Sequence, residues 1–212
     1  MTTDSNPRET VLRTGELLAW TVGILLLAVY FGIRGSQTSA AQRGLFQFRS
    51  ARALSWPRPD QSLWSPERVR AWQQSLAASK AAPLAVLRIP SLKLEVPILE
   101  GTDDATLDRG VGHISGTALP GMTGNLGIAG HRDGFFRVLK DITTGASIEL
   151  ETLAGTKRYV VESLFLVDPR DVWVLEPATT SQLTLVTCFP FYYQGSAPQR
   201  FIVRAVPAAP LP

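Results

Sequence analysis

From Leu84 onward the hydrophobic residues recur with a period of two, and this alternation limits the possible folds more than any other feature of the chain. Leu92, Leu94, Val96 and Ile98 alternate with Lys93, Glu95 and Pro97, so one face of an extended segment is apolar and the other polar, the pattern of a half-buried strand. Pro97 lacks a backbone donor, which places it at an edge or a bulge. Further strands are expected over 84–89, 111–114, 125–130, 146–152, 157–167, 182–188 and 199–206, with brief helical turns over 105–109 and 136–140. Eight short strands punctuated by Gly and Pro predict a mainly β domain over residues 84–208, an eight-stranded closed or nearly closed β-barrel, with 209–212 as a short tail.

The first part of the chain differs in character. Residues 1–13 are polar and carry both signs of charge, as a disordered tail does. Leu17 to Ile33 then contains no charged residue. With Thr14, Gly15 and Glu16 as an interfacial turn, the run reaches about 20 positions and spans roughly 25–30 Å as a helix, the thickness of a bilayer core. Trp20 near one end, with Tyr30 and Phe31 near the other, fits an aromatic belt. A cleaved signal peptide is the competing reading, because Ser39-Ala40-Ala41 offers small residues. The run is longer than an ordinary signal core, however, and no A-x-A site follows closely. A single-pass transmembrane anchor over 14–34 is therefore expected. Counting positive charges, Arg34, Arg43, Arg49 and Arg52 outnumber Arg8 and Arg13, which by itself places the large domain inside.

Residues 35–83 form a linker of mixed composition. Trp56-Pro57-Arg58-Pro59 excludes regular structure. Ser65-Pro66-Glu67 reads as an N-cap, a first-turn proline and an acid at the positive end of a helix. A short amphipathic helix ending near Ser79 follows, with Val69, Trp72 and Leu76 on an apolar face that packs on the domain or on the bilayer surface.

A net charge of +3, with arginines scattered and no dense basic block, gives no support to nucleic-acid binding. The chain has one cysteine, Cys188, at the end of the strand-like run Leu183–Cys188. A lone cysteine there is either a small buried hydrophobe or a nucleophile that is rigidly held yet reachable. The aromatic, Pro- and Gly-rich loop Phe189–Pro198 reads as a shaped wall beside the thiol. If the flanking runs pair antiparallel, Arg200 stands opposite Cys188, where a guanidinium can donate to an oxyanion or grip a substrate carbonyl; whether the two share a face depends on register. The base is His113 or His131, each preceded by a glycine. His131 is preferred, because Leu126–Gly130 reads as a strand delivering it to the loop Arg132-Asp133-Gly134, where Asp133 is placed to orient it. One cysteine and two histidines lack any familiar zinc-ligand spacing, and Asp103-Asp104 with Glu100 reads as a solvated helix start, so no metal and no cofactor is expected.

Thr184-Leu185-Val186-Thr187-Cys188 resembles the T-L-x-T-C motif of sortases, with His131 falling 57 residues earlier and Arg200 12 later. The segments Gly127–Asp133 and Cys188-Phe189-Pro190-Phe191 are most similar to class D sortases. The resemblance covers roughly residues 84–206. It implies a sortase-type barrel on the outer side of the cell membrane, which overrides the count of positive charges. It also implies a cysteine transpeptidase in which Cys188 attacks an L-P-x-T-G or L-P-x-T-A sorting signal, His131 carries the proton and Arg200 steadies the substrate. The partners it implies are proteins bearing such a signal and an amine acceptor, either a cell-wall precursor or another protein. Two other readings stay open: a hydrolytic cysteine protease using the same residues, and a non-catalytic membrane-anchored barrel that binds a protein or wall polymer.

Overall fold

Alternating strands that cannot bury both faces alone close on one another here. The computed structural model describes residues 20, 24, 25, 27, 59–78, 82–192 and 195–209. The expected tail over 1–13, most of the apolar run over 14–34, the linker up to residue 58 and most of the C-terminal tail lie outside the described residues. Trp20, Ile24, Leu25 and Leu27 are described; they are helical and exposed. Among the described residues no helix is long and apolar enough to cross a membrane. The chain divides into two units, Met1–Phe48 and Arg49–Pro212, and the strands all belong to the second.

Eight strands form a closed barrel: β1 (Ala85–Ile89), β2 (Leu94–Glu100), β3 (Val111–His113), β4 (Asn125–Gly130), β5 (Ser147–Thr152), β6 (Gly155–Val167), β7 (Gln182–Phe189) and β8 (Gln199–Pro207). Their order around the barrel is β1-β2-β3-β4-β7-β8-β6-β5. The β2–β3 and β4–β7 pairs are parallel and the others antiparallel. Pro97 sits in β2 just before pairing with β3 begins at Ile98, so that flank of the strand is a local edge, as its missing donor requires. Leu92 does not extend β2; it ends a 3₁₀ turn over Pro90–Leu92 that precedes the strand.

The alternation fills the interior. Leu87, Ile89, Val96, Ile98, Ile128, Ile148, Leu150, Leu183, Leu185 and Val203 are buried in one cluster, each side chain of that size contributing roughly 1.5–3 kcal/mol on full burial. A second, smaller cluster lies on the other face of β7 and β8. There Val186 and Ile202 pack with Val167, Val174, Phe165 and Leu175, the last reached through a 3₁₀ turn over Val172–Leu175.

Helix α1 (Pro66–Ala78) starts as its sequence dictates, with the Ser65 hydroxyl accepting from the Arg68 N–H at 3.2 Å and Glu67 in the first turn. Its packed face differs from the expected stripe. Trp72 and Ser75 are buried while Leu76 is 55% exposed, because each residue advances about 100° around the helix and the face set by Trp72 and Ser75 turns Leu76 away. Trp64, just before α1, packs edge-on against Trp72 and against Phe135, with ring centroids 6.4 and 5.0 Å apart. The helix α2 (Asp104–Arg109) is capped by the Asp103 carboxylate, which accepts from the Thr106 N–H at 3.0 Å.

Candidate active site

Strand register brings the three expected site residues to one level. The parallel β4–β7 pair runs from Asn125 opposite Gln182 to Gly130 opposite Thr187, so the next residue on each strand is His131 and Cys188. Their 57-residue separation is the offset of that register. In the antiparallel β7–β8 pair Cys188 stands directly opposite Arg200, and directly opposed residues project from the same face. That face carries Val186 and Ile202 and lies outside the barrel core. Cys188 is partly exposed and unoxidised.

His131 occupies a half-enclosed position, its side chain 20% exposed. The glycine before it does not make room for the imidazole. A Cβ on Gly130 would lie 2.6 Å from Cδ2 of Phe136, so the missing side chain accommodates the Phe136 ring. Nε2 of His131 is buried with no hydrogen-bond partner among the described residues. The Asp108 and Asp104 carboxylates approach it to 3.8 and 3.9 Å, beyond hydrogen-bond range. Burial, followed by the nearby Arg68 guanidinium, pulls the His131 pKa below its ordinary 6.5, against the opposing influence of Asp133, Asp108 and Asp104. Asp133 does not orient the imidazole as expected; its Oδ1 accepts instead from Nε of Arg68 at 3.3 Å. His113 is buried on β3 with both ring nitrogens engaged, Nδ1 3.0 Å from the Glu100 carboxylate and Nε2 3.2 Å from the Thr117 hydroxyl.

His131 and Cys188 line a cleft of about 740 Å³. Arg200 shares the Cys188 face but is not among the lining residues. Its Nη1 donates to the Gln199 and Ala197 carbonyls at 3.2 and 3.4 Å, so the guanidinium turns toward the β7–β8 loop. That loop serves two purposes. Phe189 and Phe191 pack with Phe201 to close the barrel end, at ring distances of 5.4 to 6.5 Å, whereas Tyr192 and Gly195 contribute to the cleft wall beside Phe191.

Several residues of the site carry no signal in the sequence. Arg132 donates to the Pro190 and Gly195 carbonyls at 3.2 and 2.6 Å. Arg137 donates to the Phe191 carbonyl and lies 4.1 Å over the Tyr192 ring. Together they brace the β7–β8 loop from the segment that follows His131. The opposite wall comes from before the barrel: Ser62, Leu63, Trp64, Glu67 and Arg68 all line the cleft. Arg68 ion-pairs with both Asp108 and Asp133. Its spacing from the strands is set by tertiary packing, so no local pattern announces it. Among the described residues no group of three or more His, Cys, Asp or Glu is arranged to hold a metal ion.

Known proteins resemble this chain over the barrel domain. Residues 87–208 match the model of the sortase domain. The chain is 35% identical over 119 residues to sortase D of Bacillus subtilis, a match covering 56% of this chain and 60% of that relative's length. It superposes on a Clostridium perfringens sortase D5 transpeptidase with a TM-score of 0.56 at 28% identity, covering 66% of this chain and 89% of that one. It also superposes on sortase A from Corynebacterium diphtheriae with a TM-score of 0.58 at 27% identity, covering 82% and 86%. With the sortase-domain model matching more than half of its length, the chain belongs to the sortase family.

Proposed function

We propose that this chain is a membrane-anchored cysteine transpeptidase acting on a C-terminal sorting signal of the L-P-x-T-G or L-P-x-T-A kind. The thiolate of Cys188 adds to the carbonyl carbon of the threonine in the signal. The tetrahedral intermediate collapses by breaking the peptide C–N bond, with the proton carried by His131 passing to the departing amine. A thioester then joins the threonine to Cys188. An amine acceptor, a cell-wall precursor or another protein's amino group, loses a proton to His131 and attacks that thioester; the C–S bond breaks, which forms a new amide and restores the Cys188 thiolate. A thioester retains enough of the amide's free energy for an amine to compete with water. Arg200 supplies donors to the substrate carbonyl and the developing oxyanion.

The observation that supports this reading is that His131, just after β4, Cys188 on β7 and Arg200 on β8 fall at one level on adjacent strands. Arg200 stands opposite Cys188, and the carbonyls it contacts are neutral acceptors that a substrate's carbonyl can replace. The domain plan assigned to this function is a tail over 1–13, an anchor over 14–34, a linker over 35–83 and a catalytic domain over 84–208 outside the membrane. The described residues of the apolar run, Trp20, Ile24, Leu25 and Leu27, are each helical with an exposed apolar side chain, which supports the anchor.

The test is mass spectrometry of the protein incubated with a small library of L-P-x-T-x peptides and an added amine. The expected products are an acyl-enzyme on Cys188 and an amide of the threonine carboxyl. Cys188→Ala should abolish both, His131→Ala should lower turnover by several orders of magnitude, and Arg200→Ala somewhat less. Free acid as the sole product despite excess amine would assign hydrolysis in place of transfer, and an unlabelled Cys188 with no cleavage would assign a binding module.

A further inference from the structure

Helix α1 lies before the stretch that matches the sortase domain, yet it places a cation beside His131. The Arg68 side chain is 19% exposed and bonds the Asp108 carboxylate, itself 15% exposed, together with Asp133. The Asp108 oxygen that Arg68 holds is the same Oδ1 that stands 3.8 Å from Nε2 of His131. Around that imidazole the charges are Arg68 from α1, Asp104 and Asp108 from α2, and Asp133 from the loop after β4. Glu67, Arg132, Arg137, Tyr192 and Cys188 line the same cleft. Three carboxylates therefore surround the imidazole, and two of them are occupied by one guanidinium.

We infer that Arg68 is a positioning residue for His131: by holding Asp108 and Asp133 in ion pairs, it keeps the imidazole free of a carboxylate partner, so that its proton stays available to the reacting amine. This rests on the assignment of His131 as the proton carrier. A displacement of about 1 Å would bring Asp108 into a charge-assisted hydrogen bond with the imidazolium. A mostly buried carboxylate that loses its cation is strongly driven to find another, and the His131 imidazole, 3.8 Å away, is able to become one. The proton would then sit on the Asp108 side of the ring and be withheld from the departing amine. The guanidinium suits the task because it is charged at every working pH and its fork reaches two carboxylates at once. The arm that carries Arg68 is fixed, with Trp64 and Trp72 packed on each other and Trp64 packed on Phe135 four residues after His131.

The experiment is an NMR titration of the imidazole carbons in the full chain, which has two histidines, so that His113 serves as an internal reference. Arg68→Ala should move the His131 midpoint upward and leave His113 in place, and kcat should fall on the order of tenfold with KM little changed. Arg68→Lys should keep the midpoint near that of the unaltered chain. Asp108→Asn should lower the midpoint by more in the Arg68→Ala background than in the unaltered chain, because only there is the carboxylate free to pair with the imidazole; an equal effect in both backgrounds is what a merely structural contribution of Arg68 would produce. An unmoved or lowered midpoint in Arg68→Ala, or an equal effect of Asp108→Asn in both backgrounds, overturns the inference. If Arg68→Ala fails to fold, Arg68→Gln decides: its His131 midpoint should rise, and an unmoved or lowered one overturns the inference. The midpoint is read without turnover, so His131→Ala retaining full transfer would remove the proton-carrier assignment separately, whereas an unmoved midpoint removes the role of Arg68 whatever the activity.

Discussion

Gly130 shows how a single residue serves the site from the opposite face of its strand. The Phe136 ring, fully buried, lies against the position a Cβ would take, with Cδ2 at 2.6 Å and Cγ at 2.7 Å. Gly130→Ala should therefore destabilise the fold by about 1–3 kcal/mol through overpacking. Combining it with Phe136→Leu should give less loss than the sum of the two, measurable by denaturant unfolding of the four proteins. Additive losses would show that the two residues do not compete for one space. In the sequence, a glycine precedes each histidine, and nothing local distinguishes room for the imidazole from room for a ring behind it. His131 itself yields a pH prediction. Its folded-state pKa lies below 6.5 because burial and Arg68 disfavour the imidazolium, so the unfolded chain binds the proton more readily. That contribution to stability is present above the unfolded value and is lost as pH falls below 6.5 through the folded value. His131→Gln should lose less stability than the unaltered chain over that acidic window, as read from paired denaturant melts. A steeper acid loss in the variant would reverse the sign.

Among the elements, the connection between β6 and β7 depends on one buried side chain. Asn125, at the start of β4, donates from Nδ2 to the carbonyls of Val174 and Glu176 at 3.0 and 3.1 Å, and its Oδ1 accepts from the Thr184 hydroxyl at 2.7 Å. The 3₁₀ turn it holds supplies Val174 and Leu175 to the small apolar cluster on the Cys188 face. Asn125→Ala takes a partner from the buried Thr184 hydroxyl and from the Glu176 carbonyl, while the Val174 carbonyl keeps the Arg204 guanidinium at 3.3 Å, and should lower stability by about 2–3 kcal/mol. Amide exchange should accelerate in residues 172–176 more than in the strands of the barrel. Uniform acceleration throughout the barrel would mean that Asn125 supports the whole sheet rather than this turn. The strands themselves were legible, because alternation reports a half-buried face directly; β4 matches its predicted bounds of 125–130. This turn was not, since Val172-Trp173-Val174-Leu175 has no period to read and its conformation is imposed by a side chain 49 residues away.

At the scale of the whole molecule, spacings in the sequence became geometry through register. The 57 residues from His131 to Cys188 and the 12 from Cys188 to Arg200 are what the β4–β7 and β7–β8 pairings require for one row of side chains, and the motif could be recognised while its meaning waited on the pairing. The contribution of α1 had no such trace. The alternation that marks the barrel begins at Leu84, and so does the apparent catalytic domain, yet Trp72 belongs to the main core cluster and Trp64 packs against it. A chain beginning at Pro59 and one beginning at Leu84 separate these descriptions. The shorter one loses Arg68, uncovers Phe135, which is 6% exposed in the fold, and gives up two packed tryptophans. A loss on the order of 4 kcal/mol follows from the burial of large aromatic side chains, which corresponds to a melting temperature lower by roughly 10 °C for a domain of this size. Its His131 titration midpoint should also lie higher, because Asp108 and Asp133 are released together. Equal melting temperatures and equal midpoints in the two chains would show that the barrel from Leu84 is self-sufficient and that α1 is an appendage to it.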